Sequence, residues 1–355
     1  MSTGRVAEWH GIEDVRLVEV ATPDPGPNDV LLRIGACGIC GSDVHRYSEG
    51  AWSIPGTRLG HEYSGTVLAV GAEVDGIRTG DRVAVNPARS CGVCPACADG
   101  RTNLCAERAS EQGGFGDQVL LREARRDEQL FVMPPWMSFE EGAFVEPLAV
   151  ALRAVRLADL EPADPVVVSG LGTIGQCVVR VLAAHGHSEI LGVDTSERRR
   201  EAAAPVTSAT LDPGTTDVFA AVVDRWGSQR SPYQVATGAA AVIECSGAVL
   251  ALDAALRLVC PGGVLVLAGL CSTPPAVDVN TLVQKEVRLH GSFAYTVEDA
   301  REAFALLREA CVDVAPLVSH RIFLSEVDRA FRLQRNVADS LKVMVVPDRA
   351  LGNYP

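Results

Sequence analysis

Two patterns of hydrophobic and polar positions divide this chain. Up to about residue 147, short runs rich in Val, Leu and Ile, such as 29–34, 64–70 and 81–85, are separated by turns rich in Gly and Pro. This pattern predicts β-strands. From about residue 165, continuous apolar runs alternate with segments of helical periodicity. That alternation is typical of a parallel, doubly wound sheet. The predicted fold class is therefore α/β, with a Rossmann-type sheet and a separate β-rich domain.

The element order predicts where the domains begin and end. Buried strands are predicted at 165–170, 189–194, 241–247 and 263–269, and helices at 173–186, 217–226 and 250–259. After about residue 287 the pattern changes again, and residues 290–296 are predicted to return to the first domain. Helices near 297–310 and 325–334 and a strand at 341–346 complete the prediction. We therefore predict a β-rich domain at 1–147, a dinucleotide-type domain at 148–287, and a return to the first domain at 288–355. The stretch 202–216 gives no clear pattern.

Composition narrows the functional classes. A length of 355 residues suggests two domains of ordinary size. The formal charge of −13 argues against a nucleic-acid partner, because binding phosphates requires a basic surface. No apolar run is long enough to cross a bilayer, and the first residues do not resemble an export signal. Eleven cysteines in such a chain indicate a reducing, cytoplasmic compartment.

Four cysteines lie close together in the predicted loop 91–105: Cys91, Cys94, Cys97 and Cys105. Four thiolates at this spacing can close a tetrahedral shell around Zn²⁺ and leave no position for water or substrate. Unrelated reduced thiols and disulfides are the alternatives, and neither fits so compact a spacing in a chain without an export signal. The loop therefore predicts a structural zinc site.

A glycine-rich turn follows the first strand of the second domain. Gly170, Gly172 and Gly175 form a G-x-G-x-x-G with Leu171, Thr173 and Ile174 between them, and Asp194 ends the next predicted strand. In this strand–turn–helix context the motif predicts a dinucleotide site. The helix N-terminus favours a pyrophosphate. Asp194 is positioned to bind ribose hydroxyls, which favours NAD over NADP. An ordinary tight turn is the alternative.

A second set of potential zinc ligands occurs earlier in the chain. Cys40 and His61 offer a thiolate and an imidazole, and either Glu62 or Glu146 can supply a carboxylate. Three protein ligands with an open fourth position are typical of a catalytic zinc site. Taken singly, each of these residues is as well explained by an ordinary buried position, so the prediction rests on their occurrence together with the cysteine loop and the dinucleotide motif.

These motifs together resemble one family over almost the whole chain. The segments CGICGSDVH (37–45), GHEYSG (60–65), the four-cysteine loop and GLGTIG (170–175) are similar to those of the zinc-dependent medium-chain dehydrogenases. Glu146 stands where liver-type alcohol dehydrogenases have a cysteine ligand, which resembles the sorbitol, threonine and butanediol dehydrogenase branch. The resemblance implies a GroES-like catalytic domain, a Rossmann domain and a homodimer or homotetramer that pairs through sheet edges.

The same resemblance implies roles for individual residues. Ser42 and His45 would relay a proton, and Asp43 would orient His61. Arg199 would lie beside the adenosine ribose, although a solvated arginine in the run 198–200 is the alternative. Lys342 would reach the cofactor phosphates.

The sequence therefore predicts a cytoplasmic oxidoreductase with two Zn²⁺ per chain that oxidises a polar secondary alcohol with NAD. Two alternatives stay open at this point. One is an amino-sugar or aminocyclitol dehydrogenase, and the other is a non-catalytic member of the fold.

Overall fold

The computed structural model describes residues 3–336 and 340–348. These residues form two compact units, one from 3–147, 296–336 and 340–348 and the other from Leu148–Tyr295. The strands, in chain order, are β1 (Thr3–Gly11), β2 (Asp14–Ala21), β3 (Val30–Gly38), β4 (Thr57–Arg58), β5 (Glu62–Val70), β6 (Arg82–Val85), β7 (Ala88–Arg89), β8 (Ala109–Ser110), β9 (Gln118–Leu121), β10 (Leu130–Val132), β11 (Val166–Ser169), β12 (Ile190–Val193), β13 (Ala209–Leu211), β14 (Ser228–Arg230), β15 (Val235–Thr237), β16 (Ala239–Glu244), β17 (Val259–Leu267), β18 (Arg288–Gly291), β19 (Val318–Phe323) and β20 (Lys342–Val346).

The described α-helices are α1 (Gly41–Glu49), α2 (Pro95–Ala98), α3 (Phe139–Ala143), α4 (Val145–Ala158), α5 (Thr173–Ala184), α6 (Glu197–Ala203), α7 (Val218–Trp226), α8 (Val249–Leu258), α9 (Val279–Lys285), α10 (Val297–Arg308) and α11 (Val327–Arg335). Within residues 3–336 and 340–348, no helix has the length and apolar character that crossing a membrane requires.

The first unit is built on a seven-stranded sheet. Its order is β10-β6-β5-β3-β20-β19, with β9 also paired to β3. The antiparallel register of β3 with β5 places Gly38 opposite Glu62. The last strand, β20, pairs with the other side of β3, with Met344 opposite Gly38. Because of this topology, the end of β3 and the starts of β5 and β20 meet at one edge of the sheet.

The second unit is a six-stranded parallel sheet in the order β13-β12-β11-β16-β17-β18. Its inner strands are continuous apolar runs, and Val166, Val167 and Val168 are fully buried. Parallel strands need this composition because helices cover both faces of the sheet. The predicted α/β class, with a doubly wound sheet and a separate β-rich unit, is confirmed.

Two segments differ from the sequence prediction. Residues 290–296 were expected in the first domain, but β18 (Arg288–Gly291) pairs with β17 in the parallel sheet and the second unit extends to Tyr295. As an edge strand, β18 is largely exposed, so it lacks the apolar run that identifies an inner strand. The stretch 202–216, which gave no pattern, contains a 3₁₀ turn at Ala204–Val206 and the short edge strand β13.

Candidate functional site

The four-cysteine loop forms a compact sulfur cluster. The Sγ atoms of Cys91, Cys94, Cys97 and Cys105 all lie within 4.8 Å of one another. Backbone N–H groups point at the sulfurs: the N–H of Cys94 donates to Cys91 Sγ at 3.4 Å, and the N–H of Cys91 donates to Cys105 Sγ at 3.3 Å. Pro95 begins the short helix α2 immediately after Cys94. The cluster has the ligand type and the compactness of a closed zinc site.

The thiols of this loop have unequal proton affinities. Backbone N–H groups of Cys97 and Ala106 stabilise the Cys94 thiolate and lower its pKa to about 6. Burial and the neighbouring Cys94 raise the pKa of Cys97 to about 11. Such a cluster holds thiolate and thiol side by side, and a bound dication would favour the thiolate at each position because metal ligation requires deprotonated sulfur.

The second ligand set is assembled by the β3–β5 register. Cys40 lies two residues after the end of β3 and caps the N-terminus of α1, and His61 immediately precedes β5. Since Gly38 and Glu62 are opposite each other, Cys40 and His61 leave the sheet side by side. One ligand atom from each of Cys40, His61 and Glu62 lies within 4.8 Å of the others. The structure thus brings together three of the four predicted ligands.

Asp43 lies fully buried beneath this set. Its Oδ2 accepts a hydrogen bond from the Cys40 N–H at 3.2 Å, and its Oδ1 lies 3.7 Å from His61 Nδ1. At that distance the two atoms form an ion pair but not a hydrogen bond, and both are buried without a hydrogen-bond partner among the described residues. Asp43 therefore fixes the Cys40 backbone and faces the Nδ1 side of the His61 imidazole.

The charges around His61 favour a cation. Burial by itself lowers the pKa of His61, but the negative charges of Asp43, Cys40 and Glu146 outweigh it and raise the pKa well above its usual value. A field that holds a proton on an imidazole this strongly also attracts a metal dication, which would replace the proton. The donor types and the charge of this set therefore fit Zn²⁺.

Glu62 forms a buried ion pair with Lys342. Lys342 Nζ lies 2.5 Å from Glu62 Oε2 and donates to the carbonyl oxygen of Ile39 at 3.0 Å, and both residues are 1% exposed. The resemblance implied that Lys342 binds cofactor phosphates. The structure corrects this expectation, because the ammonium group is buried in the first unit against Glu62.

Glu146 is buried in the first turn of α4. It does not belong to the compact ligand set among the described residues, but its charge acts on His61. Burial raises the pKa of Glu146 to about 7, although His61 acts in the opposite direction. Near neutral pH, this carboxyl group can therefore either hold or release a proton.

Ser42 and His45 occupy the first two turns of α1. Their spacing of three residues places them on one face of the helix. His45 is partly exposed, and its Nδ1 lies 3.1 Å from Glu49 Oε1 one turn further on. The helix therefore leads from Cys40 through Ser42 to the partly exposed His45.

In the second unit, the glycine-rich turn joins β11 to α5. Gly172 caps the N-terminus of α5. A Cβ atom at Gly175 would lie 1.9 Å from the carbonyl oxygen of Gly170, so only glycine allows α5 to begin this close to the turn. Residues 170–175, with Thr173 and Ile174 at the start of the helix, thus join a strand to a helix N-terminus through a glycine turn, an arrangement that suits a pyrophosphate.

Asp194 and Arg199 lie beside this turn. Asp194 follows β12, and its two carboxylate oxygens accept hydrogen bonds from the N–H groups of Leu171 at 2.7 Å and Ser196 at 2.8 Å. One guanidinium nitrogen of Arg199 lies 3.7 Å from Asp194 Oδ2, and a Cβ atom added at Gly172 would lie 3.7 Å from a guanidinium nitrogen of Arg199. Of the described residues, none is a hydrogen-bond partner of Arg199 Nε, which is buried. A carboxylate and a guanidinium group thus lie side by side next to the glycine turn.

Sequence reasoning did not find two features of the sites. The Glu62–Lys342 pair joins residues 280 positions apart, and no local pattern reports such a contact. The sequence contains one indirect indication of this pair, the glycine at position 38. A Cβ atom there would lie 2.3 Å from Glu62 Oε2, so the packing of Glu62 requires glycine. Gln176 was also missed; its side-chain amide donates to the carbonyl oxygens of Leu171 and Arg199 and so ties α6 to the glycine turn.

Comparison with known proteins identifies the family of this chain. Residues 26–132 match the alcohol dehydrogenase GroES-like domain, and residues 173–309 match the zinc-binding dehydrogenase family. The chain is 31% identical to 2-dehydro-3-deoxy-L-galactonate 5-dehydrogenase of Pseudoalteromonas atlantica, covering 96% of this chain and 97% of that protein. It is 30% identical to (R,R)-butanediol dehydrogenase of Bacillus subtilis, covering 97% and 100%.

A solved structure of a zinc-binding dehydrogenase from Sinorhizobium meliloti 1021, bound to NADP, is 30% identical and superposes with a TM-score of 0.85, covering 98% of this chain and 100% of that one. The chain therefore belongs to the zinc-dependent medium-chain dehydrogenases, enzymes that oxidise alcohols and polyols. The predicted GroES-like and Rossmann architecture is confirmed.

Proposed function

We propose that this protein oxidises a polar secondary alcohol, polyol- or sugar-like, to a ketone, with NAD as the hydride acceptor. The observation that carries the proposal is the convergence of Cys40, His61 and Glu62 within 4.8 Å at one edge of the sheet. Relatives named for butanediol and a deoxy sugar acid support this substrate class. Nothing favours the amino-sugar alternative, so we do not carry it forward.

Two zinc ions per chain fit the two ligand sets. Cys91, Cys94, Cys97 and Cys105 would hold a structural ion. Cys40, His61 and Glu62 would hold a catalytic one, with Lys342 neutralising the second oxygen of Glu62. Glu146 would add negative charge from the start of α4 and accept a proton near neutral pH. When bound, zinc polarises the alcohol oxygen as a Lewis acid and the dinucleotide accepts a hydride.

The chain's own residues would move the proton. Ser42 lies two residues after the ligand Cys40, so its hydroxyl is the first proton acceptor that α1 offers. His45, one turn along the same face, would pass the proton to solvent, and Glu49 at 3.1 Å would hold its imidazole in one orientation. Asp43 would orient His61 and takes no part in proton transfer. A positioned acid–base group of this kind contributes roughly 10²- to 10⁴-fold to the rate.

The glycine turn would bind the pyrophosphate, and Asp194 the adenosine ribose. A 2′-phosphate would bring a second negative charge against the buried Asp194 carboxylate, which supports NAD as the preferred cofactor. Arg199, 3.7 Å from Asp194, opposes this preference. A related solved structure is bound to NADP, so the preference has to be measured with both cofactors.

We also propose a cytoplasmic homodimer or homotetramer. All eleven cysteines are described, and none forms a disulfide, as expected in a reducing compartment. Among the described strands, β18 ends the parallel sheet without a neighbour on its outer side. Such an edge can pair with a second copy. Light scattering of the purified protein would test the assembly.

The direct test is to mix the zinc-loaded protein with NAD and a panel of diols, polyols and sugar acids, and to follow the absorbance of the reduced cofactor. We expect reduction with at least one secondary alcohol and none with Cys40→Ala. Cys311→Ala is a matched control, since Cys311 is exposed and belongs to neither ligand set. A fully metal-loaded protein that reduces NAD or NADP with no alcohol would favour a non-catalytic role.

A further inference from the structure

Glu244 is a buried carboxylate that the proposed mechanism does not use. It ends β16 and is 2% exposed. The register of β11 with β16 places it opposite Ser169, which immediately precedes the glycine turn. β12 and β13 continue the sheet on one side of this strand pair, and β17 and β18 continue it on the other. Ligands of such sheets bind outside the carboxyl ends of the strands where the order reverses, so Glu244 lies at the edge proposed for the dinucleotide.

The loop that follows β16 holds the Glu244 carboxylate in place. Its Oε1 accepts hydrogen bonds from the Ser246 N–H at 2.7 Å and from the Ser246 hydroxyl, and its Oε2 accepts one from the Gly247 N–H at 3.1 Å. The same loop lies against the glycine turn, since a Cβ atom added at Gly170 would lie 2.7 Å from Ser246 Cβ. Such donors suit an ionised carboxylate, which can only accept. A negative charge is therefore fixed next to the glycine turn.

No basic side chain in residues 3–336 or 340–348 forms an ion pair with Glu244. Two other buried glutamates do have a cation: Glu62 pairs with Lys342 at 2.5 Å, and Glu140 pairs with Arg321 at 2.6 Å. Burying a charge without a counter-charge is costly. A cationic group bound at this edge of the sheet would therefore be favoured over a neutral group of the same shape.

The strand order indicates which half of the cofactor would bind near Glu244. A dinucleotide-binding sheet has two halves, one for each mononucleotide, which meet where the strand order reverses. Asp194 follows β12 and is proposed to bind the adenosine ribose, and Arg199 lies beside it at 3.7 Å. β16 begins the other half of the sheet, which would therefore bind the nicotinamide half.

The nicotinamide ring is cationic only in the oxidised cofactor. It carries one positive charge in NAD⁺ and loses that charge when it accepts a hydride to become NADH. The pyrophosphate, both riboses and the adenine are the same in the two forms. Repulsion between Glu244 and the phosphates therefore weakens both forms equally, as do any effects of Asp194 and Arg199 on the adenosine half. A fixed negative charge at this edge distinguishes NAD⁺ from NADH through the ring charge alone.

From this arrangement we propose that the buried Glu244 carboxylate makes the dinucleotide site favour the oxidised cofactor over the reduced one. The inference rests on the proposed function, because it requires a nicotinamide cofactor at the glycine turn. Glu244 acts through its charge and through the loop that it holds, so it is a positioning residue and not a catalytic one. Its effect is to retain NAD⁺, the form that accepts a hydride from an alcohol, and to ease the release of NADH.

The test is to measure dissociation constants for NAD⁺ and NADH by titration calorimetry on the full-length, zinc-loaded protein without an alcohol. NADP⁺ and NADPH would be measured in the same way. The informative quantity is the dissociation constant of the reduced form divided by that of the oxidised form. In Glu244→Gln this ratio should fall about threefold or more, because glutamine keeps an accepting oxygen for Ser246 but carries no charge.

Three further variants separate charge from shape. Glu244→Asp keeps the charge and should retain the wild-type ratio, even where both forms bind more weakly. Ser246→Ala removes a donor to the carboxylate and leaves its charge less compensated, so it should raise the ratio, and it tests the proposal even if Glu244→Gln does not fold. Glu189→Gln is the matched control and should leave the ratio unchanged, because Glu189 precedes β12 at the opposite edge of the sheet and pairs with Arg225.

Three outcomes would overturn the inference while leaving the proposed function intact. They are an unchanged ratio in Glu244→Gln, an equal fall in Glu244→Asp and Glu244→Gln, and a fall of the same size in Glu189→Gln. Failure of the wild-type protein to bind any of the four cofactors is a different result, because it would overturn the proposed function and this inference together.

Discussion

Replacing Lys342 by methionine should destabilise the first unit strongly. The ammonium group of Lys342 lies 2.5 Å from Glu62 Oε2, and the two side chains are 1% and 2% exposed. Methionine has a similar length and volume, so the substitution opens no large cavity. What it removes is the counter-charge of a buried carboxylate and the donor to the Ile39 carbonyl oxygen.

The size of the expected destabilisation follows from the burial of this ion pair. Removing one partner of a buried ion pair costs about 3–5 kcal/mol in unfolding free energy, because the remaining charge is left without compensation. The double variant Glu62→Gln/Lys342→Met removes both charges, so it should recover most of that loss. Zinc should also reduce the loss, because a bound dication supplies Glu62 with a new counter-charge.

The positions of the tryptophans allow unfolding of the first unit to be measured separately. Three tryptophans, Trp9, Trp52 and Trp136, belong to the first unit, and Trp226 belongs to the second. In a Trp226→Phe background, urea unfolding monitored by tryptophan fluorescence therefore reports the first unit. The single and double variants would be measured after metal removal by a chelator and again after zinc loading.

Two results would refute this reasoning. One is a loss below about 1 kcal/mol for Lys342→Met without metal, which is the range of an exposed ion pair. The other is a double variant that is less stable than the single one, which would mean that Glu62 stabilises the unit without its partner.

The remaining predictions concern pH, metal, proton transfer and cofactor. Burial raises the pKa of Glu146 to about 7 in the folded chain, so its contribution to stability is present below its ordinary value of about 4.5 and is lost as pH rises through 7; the metal-free protein should lose stability over this window, and Glu146→Gln should flatten the curve. Cys94→Ser should lower the thermal midpoint and the zinc content more than the turnover per folded molecule, since a closed zinc site contributes folding free energy. Unchanged stability with abolished turnover would mean that the cysteine cluster is catalytic and not structural. Ser42→Ala should slow turnover by roughly 10²- to 10⁴-fold while zinc and NAD still bind, and unchanged turnover across the pH range would exclude the relay. The ratio of kcat/KM for NAD to that for NADP should exceed one and should fall in Asp194→Ala. A wild-type preference for NADP would indicate that Arg199, and not Asp194, determines which cofactor is preferred.

Much of the fold could be predicted from the sequence because its inner elements are strongly patterned. β11 is buried on both faces, and its valines form an uninterrupted apolar run. Edge strands lack that pattern. In β18 only Leu289 is a large apolar residue, and it is 43% exposed. The predicted boundary at 287 therefore falls before a strand that belongs to the second unit.

The candidate zinc ligands could be proposed from the sequence because each lies within a short motif, as Cys40 and His61 do. Lys342 could not be placed, because its partner is set by the pairing of β3 with both β5 and β20. Family resemblance supplied a role for Lys342, but strand register decided what its ammonium group contacts.

The central claim is that this chain carries an open zinc site at which an alcohol is oxidised. Its most direct test is to strip the protein of metal, return zinc stepwise, and measure bound zinc and NAD reduction with the best alcohol of the panel in the same samples. The account predicts about two zinc ions per chain at saturation, with turnover that depends on zinc and is abolished in His61→Ala, which should retain about one zinc ion in the cysteine cluster. Full turnover of the metal-free protein, or of His61→Ala, would contradict it.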